Sequence, residues 1–171
     1  VLAETTVEDA RLAYQAIRAA QPSGMGTAAE QDLGGEPTVT LREAMALAAG
    51  RDLVAREYVT DFGLTFDIGV PALRSARAAG RSWDDAVVEA YLALLAREPD
   101  TLIARKLGYD AAAEISAGAR EILAMGDLTS AEARTRLAAF DARLRDAQNS
   151  RNPGTTADLT AAALFVALVE A

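Results

Sequence analysis

The chain has 171 residues, of which 51% are hydrophobic and 5% aromatic, and it carries a formal net charge of −8. This length is sufficient for one domain with a substantial core. The acidic balance argues against nucleic-acid binding, because no broad basic surface is available to displace counterions. The sequence contains neither cysteine nor histidine, which excludes disulfides, thiolate catalysis, zinc sites built on those residues and Ser-His triads.

Membrane insertion is also not expected. The longest apolar run, Leu159 to Val169, is about half of the ~20 residues that a membrane-spanning helix needs. No signal peptide is visible, and together with the lack of cysteine this favours a cytoplasmic protein. The chain starts at Val1 without a methionine, and we expect it to be the C-terminal part of a longer polypeptide.

The first predicted helix follows the N-cap pair Thr6 and Asp9 and extends to about Gln21, where the segment Pro22–Gly26 ends it. The chain then has no clear periodicity up to Thr38. A loop of this length is typical of a lid or binding loop, and a mobile acidic surface loop explains the same residues equally well.

The next predicted helices begin at two further caps. Thr40 and Glu43 form a capping box for a helix over 41–49, and Asp52 begins a longer helix that continues to Ile68. Three aromatic residues at a spacing of four predict a core-facing stripe on that longer helix: Tyr58, Phe62 and Phe66.

The remainder of the chain is also predicted to be helical. Helices are expected over 73–79, after Ser82, over 109–125 and after Thr129, whose helix presents a salt-bridged charged face that includes Asp141 and Asp146. High alanine content and the lack of alternating strand patterns favour close-packed helices. We therefore predict an all-α fold, a compact bundle of about seven to nine helices that forms a single domain over 1–171.

Two short blocks combine polar and charged residues at helix starts. In the first, Asp100 is a natural N-cap, while Thr101 and Arg105 lie on one helical face beside Lys106. Arginine suits bidentate phosphate binding, so this block is a candidate phosphate site. An N-cap followed by two solvated cations explains the same residues.

The second block precedes the apolar C-terminal helix. Asn152, Pro153 and Gly154 predict a tight turn, after which Thr155 caps the helix with Asp158 as an acidic variant of the capping box. Free N–H groups at such a helix start attract phosphate. An ordinary well-capped helix start is the alternative.

Taken together, the two blocks resemble a known family. Residues 151–159 resemble the C-terminal signature of the triphosphoribosyl-dephospho-CoA synthase family, and residues 100–108 are similar to its upstream signature. Residues 36–45 look like the branch of that family found in archaea and methyl-oxidising bacteria. The resemblance covers the C-terminal half to two-thirds of a full member, and the histidine-containing motifs of the family's N-terminal part have no match here.

The resemblance implies an ATP-dependent transferase of prosthetic-group biosynthesis. Adenine leaves ATP, and a hydroxyl group of dephospho-CoA or a related acceptor captures C1 of the ribose. The carboxylates implied as catalytic groups and possible Mg²⁺ ligands are Asp100 and Asp158, which are expected to meet across one cleft. The residues implied to contact the substrates are Thr101, Arg105, Lys106, Asn152, Gly154, Thr155 and Thr156.

Two other functions are compatible with these residues. A helical nucleotide-binding or interaction module would bind ATP without releasing adenine, and a glycohydrolase that uses carboxylates and Mg²⁺ would release the base without an acceptor. The alanine-rich helical surface also favours a homodimer.

Overall fold

The computed structural model describes residues 2–21 and 27–170. Within these ranges the chain forms nine α-helices and no β-strand, which confirms the all-α prediction. The helices belong to two compact units, Val1–Phe62 and Gly63–Ala171. No helix in the described ranges is both long enough and apolar enough to cross a membrane.

The first unit contains three helices: α1 (Val7–Ala20), α2 (Leu41–Ala48) and α3 (Leu53–Val59). The predicted capping boxes at Thr6 and Thr40 are both confirmed, since each threonine side chain accepts the N3 backbone N–H and each N3 carboxylate accepts the N-cap N–H. Capping satisfies backbone donors that have no partner within the helix.

The irregular segment between α1 and α2 is held against α1. Arg18 donates to the carbonyl oxygens of Leu33, at 3.0 Å, and of Gly35, at 3.2 Å, and the Tyr14 hydroxyl donates to that of Gln31. The predicted helix end at Pro22–Gly26 lies outside the described residues. Whether the loop acts as a lid or only as surface stays a prediction.

The predicted long helix from Asp52 to Ile68 is wrong. Helix α3 ends at Val59, and Asp61 and Phe62 adopt φ values of 54° and 62°, which no continuing right-handed helix allows. The Tyr58 and Phe62 rings still contact each other, with centroids 5.9 Å apart. Phe66 lies in the second unit and is 48% exposed, so the predicted core stripe does not extend to it.

The second unit begins with a π-helical turn, Thr65–Gly69, that continues into α4 (Val70–Ala78). Five further helices follow: α5 (Trp83–Arg97), α6 (Thr101–Leu107), α7 (Tyr109–Leu123), α8 (Ala131–Leu144) and α9 (Gly154–Val169). Helix α5 is central, because it contributes buried side chains to two apolar clusters. One cluster joins α5 to α6, α7 and α8, and the other joins it to α4 and α9.

The predicted cap of α8 is displaced by one residue. Ser130 rather than Thr129 is the N-cap, and its side chain accepts the N–H of Ala133. The Thr129 hydroxyl instead donates to the Asp127 carboxylate at 2.7 Å. The sequence offered two adjacent hydroxyl residues, and the preceding aspartate engages the first of them.

Candidate functional site

Asp100 is the N-cap of α6, as predicted. Its Oδ1 accepts the backbone N–H groups of Leu102, at 2.9 Å, and Ile103, at 3.1 Å. The preceding Pro99 disfavours a helical conformation at Glu98, so α5 ends there and the chain turns before α6 begins. The side chain is thus positioned by the corner between two helices.

The other oxygen of the same carboxylate binds the start of α9. Asp100 Oδ2 accepts the backbone N–H of Thr156 at 2.7 Å and its hydroxyl at 2.9 Å. Asp100 is fully buried and Thr156 is 1% exposed, so these bonds are shielded from water. One carboxylate therefore caps two helices, and its negative charge lies at the positive ends of both helix dipoles.

Thr155 does not cap α9, so this part of the prediction is wrong. Helix α9 begins at Gly154, and its N-cap is Pro153, which makes no side-chain capping bond. The cap is supplied by Asp100 from a distant part of the chain, and this frees the Thr155 hydroxyl to accept a hydrogen bond from the Thr101 hydroxyl at 3.3 Å. The two blocks are therefore joined by the bonds from Thr156 to Asp100 and by the neighbouring bond from Thr101 to Thr155.

Gly154 permits the close approach of the two helices. A Cβ atom at this position would lie 2.6 Å from Cδ2 of Leu102, which is shorter than van der Waals contact. The absence of a side chain lets the start of α9 pack directly against the first turn of α6. We call the contact formed by Asp100, Thr101, Gly154, Thr155 and Thr156 the α6–α9 junction.

The loop that leads into the junction is organised by Asp146, which was expected to belong to a salt-bridged helical face. That expectation is wrong, since α8 ends at Leu144 and the Asp146 carboxylate accepts the N–H groups of Gln148, Ser150 and Arg151. It also accepts the Ser150 hydroxyl, and these bonds, the hydroxyl first, lower the pKa of Asp146. An aspartate followed within four residues by a serine and then a turn was the available signal.

In contrast to the buried Asp100, the charged residues Arg105, Lys106 and Asp158 lie on the outside. Arg105 and Lys106 are exposed in the last turn of α6, where the negative end of the helix dipole also stabilises their positive charges. The Lys106 ammonium donates to the carbonyl oxygen of Asn149 at 3.2 Å, which ties α6 to the loop before α9. Asn152 and Asp158 are exposed as well.

The two predicted carboxylates do not face one cleft together. Asp100 is buried among four protein donors, whereas Asp158 lies on the exposed side of α9. Nor does the described part of the chain contain a group of three or more acidic side chains that could hold a metal ion. A direct catalytic role for either carboxylate stays a prediction.

The comparisons with known proteins agree with the resemblance. The family model for ATP:dephospho-CoA triphosphoribosyl transferase matches residues 1–171. Two relatives are named as 2-(5″-triphosphoribosyl)-3′-dephosphocoenzyme-A synthases. The one from Stutzerimonas stutzeri is 33% identical over 105 residues, which are 61% of this chain and 36% of the relative. The one from Pseudomonas fluorescens is 31% identical over 126 residues, or 74% of this chain and 43% of the relative.

A solved structure shows the same fold. The crystal structure of a triphosphoribosyl-dephospho-CoA synthase from Archaeoglobus fulgidus superposes with a TM-score of 0.70 and 30% sequence identity, and the match covers 99% of this chain and 69% of that one. The matches span 36% and 43% of the two curated relatives, so the chain corresponds to a part of their length. On the match of the family model over the whole chain, this protein belongs to the ATP:dephospho-CoA triphosphoribosyl transferase family.

Proposed function

We propose that the polypeptide carrying this chain transfers the triphosphoribosyl group of ATP to dephospho-CoA or a related acceptor and releases adenine. The observation that carries the proposal is the family match over residues 1–171. The α6–α9 junction supports it, because the two blocks that resemble the family's signatures are bonded together through Asp100 and Thr156. Neither the family nor the relatives favour a non-catalytic module or a glycohydrolase.

In this reaction the bond between the ribose C1 and the adenine nitrogen breaks, and the electron pair leaves with the base. A hydroxyl oxygen of the acceptor forms the new bond to C1 and loses its proton, while the base gains one. Positive charge develops on the sugar between these events, and a carboxylate close to the ring stabilises it. Asp158 is our candidate for that carboxylate because it is exposed in the second turn of α9.

Asp100 has a different task in this proposal. Its four hydrogen bonds hold α6 against α9, so it is a positioning residue that sets where the neighbouring groups lie. The exposed Arg105 and Lys106 are candidates for the phosphates, since guanidinium and ammonium groups bind phosphate oxygens. Asn152 and the Thr101–Thr155 pair are candidates for contacts to the nucleotide.

The residues of the junction do not fit a metal site. The Asp100 oxygens already accept four protein donors, and Asp158 is not part of an acidic cluster among residues 2–21 and 27–170. No step above is therefore assigned to a metal. Mg²⁺ accompanying the triphosphate stays a prediction, as do the homodimer and the cytoplasmic location.

The test is adenine release from ATP by the complete polypeptide, assayed with and without dephospho-CoA. We expect release that depends on the acceptor and falls by about 10²-fold or more in Asp158→Asn, the size typical of losing an electrostatic stabiliser. Asp84→Asn, which changes an exposed aspartate in the first turn of α5, is the matched control and should keep full activity.

Each other outcome has a separate meaning. No adenine from the wild-type polypeptide with both substrates present would overturn the transferase. Adenine release at the same rate with and without the acceptor would favour the glycohydrolase. Full activity in Asp158→Asn would remove Asp158 from the mechanism and leave the family assignment in place.

A further inference from the structure

The second unit contains a cavity between α5 and α8 that the assigned blocks do not explain. Its volume is about 440 Å³. The walls are mostly apolar: Val88, Tyr91 and Leu92 of α5, and Leu137, Phe140 and Leu144 of α8. Small-molecule sites are typically concave and apolar, about 300–1,000 Å³ in volume, and they contain few polar groups. This cavity has the size and the character of such a site.

Among the aromatic side chains that line the cavity, Tyr91 carries a hydroxyl group. No acceptor for this hydroxyl is found within residues 2–21 and 27–170, although Tyr91 is largely buried. Burial raises the pKa of Tyr91, and the negative charges of Asp100 and Asp141 raise it further. The hydroxyl therefore stays protonated at neutral pH and is available as a hydrogen-bond donor.

The charged groups at the rim already have partners. Arg134 donates to Asp85 at 2.7 Å, and Asp141 accepts from Arg145 at 2.7 and 2.9 Å. The side chains of Arg134 and Asp141 are 52% and 54% exposed, so they lie where the cavity meets solvent. Since both signs are present and paired, the rim offers no excess charge for a phosphate. An uncharged ligand with hydrogen-bonding edges fits better.

We propose that the α5–α8 cavity binds an uncharged, planar heteroaromatic base, with the Tyr91 hydroxyl donating to a ring nitrogen and the Asp141 carboxylate accepting from an exocyclic amino group. This inference rests on the proposed function for the identity of the base, because both ATP and dephospho-CoA carry adenine. Phe140 and the Tyr91 ring provide flat apolar surfaces for the base.

The experiment measures binding of adenosine to the complete polypeptide by saturation-transfer NMR, with pantetheine and inorganic triphosphate as separate probes. Ala138→Phe fills the cavity from α8 and should weaken adenosine binding by more than about tenfold. Tyr91→Phe keeps the ring and removes one hydrogen bond, which should weaken binding by about threefold to tenfold. Ala139→Phe, one residue along, faces the separate α7–α8 cavity and should bind adenosine normally.

The results separate this inference from the proposed function. Adenosine binding with this pattern of variants supports the site, even if the polypeptide releases no adenine from ATP. No adenosine binding, or binding that is equal in Ala138→Phe and Ala139→Phe, overturns the site even if turnover is observed. Binding of pantetheine or triphosphate that Ala138→Phe abolishes, with adenosine unaffected, also overturns it.

Discussion

The α6–α9 junction and the α5–α8 cavity, both in the second unit, differ in how their polar groups are satisfied. At the junction one buried carboxylate accepts four hydrogen bonds from two helices. In the cavity, Tyr91, whose hydroxyl has no acceptor within the described ranges, lines about 440 Å³ of space among mostly apolar side chains. The residues of the two recognisable sequence blocks thus hold α6 and α9 together. The α5–α8 cavity, in contrast, is lined by residues that belong to neither block.

The closed junction follows from the cost of burying charge. A carboxylate without water is strongly unfavourable unless its oxygens are hydrogen-bonded. Four donors and two helix N-termini meet this requirement at Asp100. The same bonds occupy both oxygens of the carboxylate, which supports the positioning role that we propose for Asp100.

The largest expected effect comes from Asp100→Ala. The change removes the acceptor of three buried donors, the N–H groups of Ile103 and Thr156 and the Thr156 hydroxyl, and of the partly buried N–H group of Leu102. We expect the free energy of unfolding to fall by about 3–5 kcal/mol, as measured by urea denaturation.

Ser82→Ala is the control for Asp100→Ala, because Ser82 caps only α5 in the same unit. It should cost about 1 kcal/mol, which is typical of a single N-cap. If the two variants lost equal stability, Asp100 would be an ordinary cap and the junction would not join the helices energetically.

The second prediction concerns Phe140, which lines both the α5–α8 cavity and the α7–α8 cavity. A Cβ at Gly118 in α7 would lie 2.7 and 3.2 Å from two ring atoms of Phe140, which lines the spaces on both sides of α8. Gly118→Ala should destabilise by about 1–2 kcal/mol, since overpacking outweighs the better helix propensity of alanine. Differential scanning calorimetry would measure the loss.

The control combines Gly118→Ala with Phe140→Leu, which removes the ring that the new methyl group meets. The double variant should lose less stability than the sum of the two single variants. A Gly118→Ala protein more stable than wild type would show that Phe140 moves aside freely and that α8 is not held by this contact.

How far the sequence predicted these regions depends on the range of the interaction. Most local capping signals were reliable: Thr6, Thr40, Ser82 and Asp100 cap helices as predicted, whereas Thr129 and Thr155 do not. The expected continuous helix through Phe62 failed because a positive φ is not visible in an apolar, periodic pattern. Gly63, directly after the break, was the available local signal, and the apolar periodicity on both sides of it outweighed that signal in the prediction.

The sequence named the residues of the α6–α9 junction, but it did not show the contacts between them. The sequence placed Asp100 and Thr156 in separate blocks, and only the fold shows that one accepts two hydrogen bonds from the other. Thr155 was expected to cap α9 because it follows a turn. The cap is instead the carboxylate of Asp100, which accepts the backbone N–H of Thr156, 56 positions further along the chain. Tyr91 lies within the helix that was predicted after Ser82, and nothing in its local sequence distinguishes it.

A pair of isosteric substitutions compares the two regions directly. Thr156→Val removes a buried hydroxyl that donates to Asp100, whereas Tyr91→Phe removes a hydroxyl with no acceptor in the described ranges. We expect Thr156→Val to lower the free energy of unfolding by about 1–2 kcal/mol and Tyr91→Phe to change it by less than about 0.5 kcal/mol. Equal losses in urea denaturation would mean that the cavity hydroxyl has a structural partner.

The smallest expected effect is local and depends on pH. Hydrogen bonds, first from the Ser150 hydroxyl, lower the pKa of Asp146 in the folded protein. Its contribution to loop stability is therefore complete above the ordinary aspartate pKa of about 4 and is lost as the pH falls through the lowered value. Hydrogen exchange should show protected amides at Gln148, Ser150 and Arg151 at neutral pH, with protection decreasing only in strong acid.

Asp127 provides the comparison, because its carboxylate binds the N–H and hydroxyl of Thr129 in the turn before α8 and its pKa is lowered too. Asp146→Ala should deprotect the loop before α9 at every pH, and Asp127→Ala should deprotect only the turn before α8. If Asp146→Ala leaves the loop protected, then the bond from Lys106 to Asn149 and the packing of α9 hold the loop without it. In that case the α6–α9 junction determines the conformation of the loop before α9, and the hydrogen bonds of Asp146 are not needed to hold that loop in place.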